Sequence, residues 1–438
     1  MTATGKGLNM FQTIVLIIFG LFAVIGLIAF ATFSAKNKDR DFGRVLVWGT
    51  IDQNLMKKIL SQLRNEDQRF KKVLYAQQDE NNFYEIVTDA LASGEGPDVI
   101  IVDDSLLHKY KNKIYTIPYE YYPERDFKDK YIDGAELFLS KDGVRAVPFA
   151  VDPLVLFWNR DIFADNSIVE PPVLWKDVLP MAKKISKKDT ANNIDISAIA
   201  LGAYDNINHA KQIIATLFMQ INSNITNYDY KTSELRVGFG GQVTSKQATK
   251  ALRFYTSFAN PVSNLYSWNR SLDNSIDMFT QDRLAMYIGY ASDLPLILKK
   301  NSHLNFDVSE LPQVDSDEPN QKKRVYGKYY AFAITKASKN KGGALAFIKT
   351  ISQDKYAKII SDNLTISPVS RNLLSKPEED ALKEIFRRSA VISRAFIDPD
   401  PQKTDQILLE MVHGVISGAR LPSSAVGIAA SKIDNLIK

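Results

Sequence analysis

The chain has 438 residues, a length that predicts more than one domain. It contains no cysteine, which excludes disulfides, thiolate metal sites, cysteine nucleophiles and lipid attachment through cysteine. The net charge of +5 is spread along the chain rather than gathered in a dense basic stripe, so we expect no nucleic-acid partner.

The first predicted element is an apolar segment near the N-terminus. No charged residue lies between Ile14 and Phe33, and about twenty helical residues span the roughly 30 Å of a bilayer core. We predict a membrane anchor over residues 13–34, between a tail at 1–12 and a linker at 35–43. Cleavage at the small residues Thr32 and Ser34 is the alternative. An uncleaved anchor predicts a single-pass cell-membrane protein with an extracytoplasmic globular part, although the basic residues after the span favour the opposite orientation.

Strand and helix patterns then alternate. Apolar runs predict strands at 44–48, 72–77 and 98–102, and helical spacing predicts helices at 52–65 and 80–93. This order predicts a parallel, doubly wound sheet, in which ligands bind beyond the carboxyl ends of the strands. Those ends carry Gly49-Thr50, Gln77-Gln78 and Asp103-Asp104-Ser105.

The stretch from 147 to 161 has the sequence VPFAVDPLVLFWNRD. Residues 154–158 form a continuous apolar run, which is typical of a strand buried on both faces. A carboxylate such as Asp152 is costly in a core unless it is paired or faces a cleft. We therefore predict that this strand is a hinge crossover and that Asp152 faces a ligand cleft. Two further buried strands, at 284–288 before Gly289 and at 329–334, are the other predicted crossovers.

Helical periodicity dominates the later part of the chain. It predicts helices at 175–185, 209–221, 247–259, 344–351, 380–390 and 404–416.

Six segments, in order, resemble the extracellular solute-binding proteins of ABC importers, family 1, the maltose-binding-protein-like group. They are VLVWGT at 45–50, GPDVI at 96–100, the stretch at 147–161 with PPVLWKDV at 171–178, MFTQDRLAMYIG at 278–289, YGKYYAFAI at 326–334 with ALAFI at 344–348, and DPD at 398–400 with VISG at 415–418. The resemblance covers residues 44–438.

The resemblance implies an α/β, two-lobed periplasmic-binding-protein type II fold with three hinge crossovers, preceded here by one transmembrane helix. Lobe one would comprise residues 44–150 and 288–334, and lobe two residues 151–287 and 335–438. The ligand would lie between the lobes and close the hinge on binding.

Candidate ligand contacts come from the strand ends and from this resemblance, since aromatic faces and polar groups hold sugar-type ligands. Asp152 matches the family's hinge carboxylate most closely. Trp48 either stacks on the ligand or packs in the core, and Asp52 and Asn206 either contact the ligand or cap a helix. The predicted ligand-binding residues are Trp48, Thr50, Asp52, Asp103, Asp104, Ser105, Asp152, Asn206, Tyr290, Tyr329, Ser367, Arg371 and Phe396.

Catalytic and metal-binding motifs are missing from the sequence. The four histidines are scattered, and neither a nucleophile elbow nor a phosphate-binding loop is present. We therefore expect no enzyme activity, no metal and no cofactor. The resemblance implies a monomeric, membrane-anchored protein that captures a small solute, a mono- or oligosaccharide, and delivers it to ABC permease subunits. A ligand sensor or adaptor without transport is the alternative, and a glycosidase using Asp103 or Asp104 with Asp152 is the third candidate.

Overall fold

The computed structural model describes Met10 and residues 41–315 and 322–438. The predicted anchor at 13–34 lies outside the described residues. None of the helices in the described part of the chain has both the length and the apolar content needed to cross a bilayer.

The strands and helices of the described residues fall close to the predicted ones. The strands are β1 Val45–Gly49, β2 Val73–Gln77, β3 Val99–Asp103, β4 Leu139–Ser140, β5 Gly143–Val144, β6 Val147–Asn159, β7 Lys187–Lys188, β8 Ile194–Ile199, β9 Thr226–Asp229, β10 Glu234–Val237, β11 Leu284–Tyr290, β12 Phe306–Ser309, β13 Val325–Ile334, β14 Ser367–Pro368 and β15 Ser393–Arg394. The helices are α1 Gln53–Glu66, α2 Phe83–Ser93, α3 Glu124–Lys130, α4 Arg160–Asp165, α5 Trp175–Ile185, α6 Ala210–Met219, α7 Gln242–Ser257, α8 Ser275–Thr280, α9 Leu294–Lys300, α10 Lys341–Ile351, α11 Asp354–Leu364, α12 Arg371–Leu374, α13 Ala381–Val391, α14 Pro401–Ile416 and α15 Pro422–Ile437.

One sheet runs through both halves of the molecule, with the strand order β2-β1-β3-β13-β6-β11-β8-β7. Strand β1 pairs in parallel with β2 and β3, which confirms the predicted parallel sheet in the first part of the chain. Strands β13 and β6 pair antiparallel at the middle of the sheet, and β6 continues into pairs with β11 and β12. The two long central strands therefore connect the two halves.

Two hydrophobic cores define two lobes. The lobe-one core contains side chains from Val45 to Val151, from Tyr329 to Ile334 and from Ala344 to Val369. The lobe-two core contains side chains from Leu154 to Tyr326 and from Ile407 to Ile433. Each core covers its own part of the sheet with helices, so the architecture is α/β with two lobes.

The chain crosses between the lobes at three places. Strand β6 passes from the lobe-one core to the lobe-two core between Val151 and Leu154. Strand β13 passes from the lobe-two core to the lobe-one core between Tyr326 and Tyr329. The third crossing lies between Val369, in the lobe-one core, and Ile407, in the lobe-two core, and the residues between them contribute side chains to both cores.

The expected crossover at 284–289 is wrong. Strand β11 pairs with β6 at residues 154–158 and with β8, so the whole strand lies in lobe two. The chain then stays in the lobe-two core through Leu311. Gly289 serves close packing rather than a hinge, since a Cβ there would lie 2.5 Å from a carboxylate oxygen of Asp293.

The expected division into lobes needs two corrections. Residues 288–311 belong to lobe two because β12 pairs with the lobe-two half of β6 and Leu311 lies in the lobe-two core. Residues 344–366 belong to lobe one because α10 and α11 bury apolar side chains such as Phe347 and Ile360 in the lobe-one core.

Candidate ligand cleft

The central strands place four polar side chains on one face of the sheet. Residues directly opposite each other on antiparallel strands have side chains on the same face. Lys328 of β13 lies opposite Asp152 of β6, and Tyr330 of β13 lies opposite Asp103 of β3. We call the face that carries Asp103, Asp152, Lys328 and Tyr330 the cleft face.

Asp152 is a buried carboxyl that contacts lobe two. It is only 1% exposed. Its oxygens accept hydrogen bonds from the backbone N–H of Ser292 at 3.2 Å and from the Ser292 hydroxyl at 2.6 Å. Burial raises the pKa of Asp152 to about 7. The group therefore exchanges its proton near neutral pH and can donate as well as accept a hydrogen bond.

The adjacent acids Asp103 and Asp104 have different environments. Asp104 is fully buried and accepts hydrogen bonds from the Tyr326 hydroxyl and the Tyr329 backbone N–H, both at 2.7 Å. Burial, together with the charge of Asp103, raises the pKa of Asp104 to about 7. Burial also opposes ionisation of Asp103, but the Lys328 ammonium at 3.3 Å and the Ser105 donors hold the pKa of Asp103 below its usual value. Asp103 is thus the charged member on the cleft face, and Asp104 holds β13 in place.

Lys328 is the cation of the cleft face. Its ammonium lies 5.3 Å from the ring centre of Tyr330 as well as 3.3 Å from Asp103. Burial alone would lower the pKa of Lys328, but Asp103 and the neighbouring tyrosines hold it well above its usual value. The ammonium therefore stays charged and offers donors to a ligand.

Lobe two contributes an aromatic wall. Tyr290 ends β11 and is 8% exposed, and its ring meets the ring of His209 edge-on with the centroids 4.5 Å apart. The His209 Nε2 lies 2.9 Å from an Asp293 oxygen that also accepts from the Tyr287 hydroxyl at 2.7 Å. These contacts fix the His209 ring, so Tyr290 presents a rigid surface.

The lobes touch each other at the mouth of the cleft. Lys109 of lobe one donates to Gln402 of lobe two at 2.6 Å and lies 3.6 Å from Asp400. The same ammonium lies 5.3 Å from the ring centre of Tyr84. Lys109 therefore bridges the two lobes.

Two predicted contacts are structural residues of lobe two. The Asn206 amide donates to the carbonyls of Asn269 and Leu272, and its oxygen accepts from the Trp268 indole. All its polar groups are used within the lobe, so Asn206 neither lines the cleft nor caps α6. Phe396 packs edge-on against Tyr326, with centroids 6.0 Å apart, inside the lobe-two core.

Three more predicted contacts lie away from the cleft face. Tyr329 follows Lys328 on β13, and successive side chains of a strand point to opposite faces. The Tyr329 hydroxyl therefore lies on the face opposite Lys328, where it bonds to Ser393. Ser367 pairs with Val151 and shares that opposite face. Arg371 bonds to Asp133 at 2.6 Å and to a lobe-one carbonyl. These placements correct the expectation for all three residues.

The remaining predicted residues lie at the ends of lobe-one strands. Asp52 is exposed and caps α1, accepting from two backbone N–H groups of the first turn. Trp48 pairs with Ile100, which puts it on the face opposite Asp103, and packs partly against the lobe-one core. Thr50 and Ser105 are partly exposed beyond β1 and β3. A ligand contact through Thr50 or Ser105 stays a prediction.

The sequence analysis missed Lys328, Tyr330 and Ser292. The predicted strand began at residue 329, whereas β13 begins at Val325, so the prediction left Lys328 outside the strand. Tyr326, Lys328 and Tyr330 stand two residues apart, a spacing that places their side chains on one face of a strand. A charged residue inside a buried strand needs a partner, so this pattern could have indicated that Lys328 lies in the site. Ser292 follows β11 in a short turn and carries no local signal.

Comparisons with known proteins agree with this geometry. Residues 61–358 match the family model described as bacterial extracellular solute-binding protein. The galactooligosaccharide-binding protein of Bacillus subtilis (strain 168) is 21% identical over 352 residues, which cover 79% of this chain and 78% of that protein.

Solved structures show the same fold at low sequence identity. A cyclo/maltodextrin-binding protein complexed with maltotetraose has a TM-score of 0.72 and 14% identity, with coverage of 91% of this chain and 98% of that one. An ABC transporter solute-binding protein from Thermotoga lettingae TMO, bound with alpha-D-tagatose, has a TM-score of 0.65 and 20% identity, with coverage of 90% and 100%. The family consists of binding proteins, which confirms the expectation that the chain is not an enzyme. Since the family model matches residues of both lobes, the chain belongs to the bacterial extracellular solute-binding proteins.

Proposed function

We propose that this chain is a membrane-tethered, extracytoplasmic binding protein that captures a mono- or oligosaccharide between its lobes and delivers it to the permease subunits of an ABC transporter. The observation that carries the proposal is Asp152, a buried carboxyl on a crossover strand that contacts Ser292 of lobe two and lies opposite Lys328. The names of the relatives support a sugar as the ligand. The uncharged stretch from Ile14 to Phe33 supports the tether.

The cleft face has the groups that a sugar needs. A charged Asp103 accepts hydrogen bonds from hydroxyls, and Lys328 donates to hydroxyl or ring oxygens. Asp152 donates or accepts, depending on its proton, and the Tyr290 ring offers a flat surface to C–H groups. We infer that these four residues contact the ligand directly.

Binding then closes the hinge. Strands β6 and β13 run from one lobe into the other. A rotation of the lobes would therefore change the backbone angles between Val151 and Leu154 and between Tyr326 and Tyr329. A ligand that touches Asp103 in lobe one and Tyr290 in lobe two makes both contacts only when the lobes are close. Its free energy therefore favours the closed form over the open one. No bond of the ligand is broken.

A thermal-shift screen of the full chain tests the proposal. The screen compares galacto- and malto-oligosaccharides, monosaccharides, polyols and peptides, because a ligand that binds the native state raises Tm by mass action. We expect a sugar to raise Tm and Asp152→Ala to weaken its binding at least about tenfold, with Asp152→Asn intermediate. The matched control, Asp142→Ala, removes an exposed carboxylate from a turn remote from the cleft face.

Each part of the proposal has its own refutation. Stabilisation by peptides and not by any sugar would contradict the ligand class. Scattering curves left unchanged by every ligand that raises Tm would contradict closure, which requires a smaller radius of gyration. The tether is tested by fractionating cells: we expect the full chain to stay with the membranes after a high-salt wash. The tether would be refuted if all of the protein were recovered outside the membrane fraction as a shorter chain that begins after residue 34.

A further inference from the structure

A cavity lies between the lobes, behind the hinge strands. It has a volume of ≈ 270 Å³. Its walls come from the turn at 133–137 of lobe one, from β9 with the loop before it in lobe two, and from the segment 394–397. Gly134 and Arg394 in these walls lie beside Tyr329 and its partner Ser393, which are on the side of β13 opposite Lys328. We call this cavity the rear pocket.

The wall of the rear pocket contains two acids, Asp133 and Glu136, and two cations, Arg324 and Arg394. Asp133 already bonds to two arginines, to Arg371 at 2.6 Å and to Arg394 at 2.9 Å. The other acid in the wall, Glu136, lies 3.9 Å from Lys128. Lys128 also lies 3.1 Å from Glu124, so Glu136 shares this cation. Neither carboxylate of the wall forms an ion pair with the other wall cation, Arg324.

Arg324 is the wall cation that neither of these carboxylates pairs with. Its guanidinium lines the rear pocket, is partly buried, and has no hydrogen bond or ion pair with any residue that the structure describes. Burial and the neighbouring Arg394 charge lower the pKa of Arg324, and the Asp133 charge offsets this shift only in part. A partly buried guanidinium next to a second guanidinium gains free energy from an anion that reaches both.

The other walls fit a small polar molecule. Amides and a hydroxyl come from Asn224, Asn227 and Thr226, and ring surfaces come from Tyr228 and Tyr230. The volume is slightly below the range of about 300–1,000 Å³ typical of small-molecule pockets. The rear pocket therefore suits a compound with one or two charged groups rather than a chain of sugars.

We propose that the rear pocket binds a small free anion that carries a phosphoryl or carboxylate group, with Arg324 as the direct contact and Arg394 as the second cation. A guanidinium fork matches the oxygens of either group. The site shares no residue with Asp103, Asp152, Tyr290 and Lys328, so it is independent of the sugar cleft.

Calorimetric titration of the full chain with sodium phosphate, and separately with sodium citrate, tests this proposal at constant ionic strength held with sodium chloride. We expect at least one of the two anions to bind with a Kd of about 1 mM or below, and Arg324→Gln to weaken it at least tenfold. The matched control is Arg253→Gln, since Arg253 is an exposed arginine on α7 remote from the rear pocket. The Arg324 guanidinium has no hydrogen bond or ion pair among the described residues, and the bonds of its backbone to Gln313 and Gln220 do not need the side chain. Arg324→Gln should therefore leave the unfolding temperature unchanged without the anion.

Three results would overturn the proposal. One is the absence of binding with both phosphate and citrate up to about 20 mM. Another is equal binding by the wild-type chain and by Arg324→Gln. The third is binding to vesicles that contain phosphatidylglycerol without binding to free phosphate or citrate, which would point to a lipid surface. The sugar-induced Tm shift is measured in parallel and should be the same in Arg324→Gln, so a failure here is distinct from a failure of the sugar cleft.

Discussion

The cleft face and the rear pocket lie on opposite sides of the same hinge strands and differ in how their charged groups are paired. On the cleft face the carboxyls Asp103 and Asp152 flank one cation, Lys328. In the rear pocket one carboxylate, Asp133, is bonded to two arginines, and the Arg324 guanidinium has no hydrogen bond or ion pair with the residues that the structure describes. The first arrangement favours a ligand rich in hydroxyl donors, and the second favours an anion.

The alternation of side chains along β13 separates the two sites. Lys328 points to the cleft face, and the next residue, Tyr329, points to the rear with its hydroxyl on Ser393. The two faces of β13 therefore carry different side chains although they belong to one backbone. We expect a side-chain substitution on one face to leave binding at the other face unchanged, whereas damage to the strand itself should disturb both.

The largest effect should come from Asp104, because it holds the strand that the two faces share. Asp104→Ala leaves the Tyr326 hydroxyl and the Tyr329 N–H without an acceptor in a fully buried place. We expect the free energy of unfolding in urea to fall by about 3 kcal/mol, and binding at both sites to weaken. Asp104→Asn keeps an acceptor oxygen and should cost less than half as much. A loss below about 0.5 kcal/mol for the alanine variant would show that β13 does not depend on this carboxyl.

Lys328→Met tests whether the faces are separate. The substitution removes the cation of the cleft face but keeps an apolar stem of similar length on β13. We expect sugar affinity to fall about tenfold, or about 1.4 kcal/mol, and anion binding in the rear pocket to stay the same. Lys339→Met, at an exposed position, is the matched control for the loss of a lysine. Equal loss at both sites would mean that the two faces act as one unit.

The sequence predicted the elements of the fold better than their partners. Local periodicity located β1, β3 and α5 within a residue or two, because apolar spacing reports which side of an element is buried. It could not say which core an amphipathic helix covers. Residues 344–366 were therefore assigned to lobe two, although Phe347 and Ile360 pack in lobe one.

The candidate site was predicted in part for the same reason. Asp152 stood out because a charge in an apolar run is costly, and it lies on the same face of the sheet as Asp103 and Lys328, while its contact with a ligand stays a prediction. Tyr329 and Ser367 were expected in the cleft but lie on the opposite face, because a shift of one residue in register moves a side chain to the other side of the sheet. Register depends on strand pairing across distant parts of the chain, and no local pattern reports it.

The dependence of stability on pH distinguishes the buried acids Asp104 and Asp152 from the cations of the rear pocket. The folded-state pKa values of Asp104 and Asp152, both about 7, lie above the ordinary value of 3.8 because of burial. The native chain therefore binds more protons than the unfolded chain between these values, and stability is lost as the pH rises through about 7. We expect the free energy of unfolding to fall between about pH 4 and pH 7, by up to about 1.4 kcal/mol per pH unit for each proton released, and to level off above about pH 7. Asp152→Asn should flatten this slope, and Arg324→Gln should not; the same slope in Asp152→Asn and wild type would assign the titration to other groups.

The smallest effect should come from Lys109, which joins the lobes at the mouth of the cleft rather than on either face. Its contacts with Gln402 and Asp400 are near the surface, and surface ion pairs contribute about 0.2–1 kcal/mol. We expect Lys109→Met to weaken sugar binding two- to fivefold, because closure loses a contact that exists only when the lobes meet, and to leave anion binding in the rear pocket within experimental error. Gln402→Ala removes the same hydrogen bond from the other lobe, so the double variant should weaken binding no further than about the larger single effect. Fully additive losses would show that Lys109 and Gln402 act separately, and that their contact does not help to hold the lobes closed.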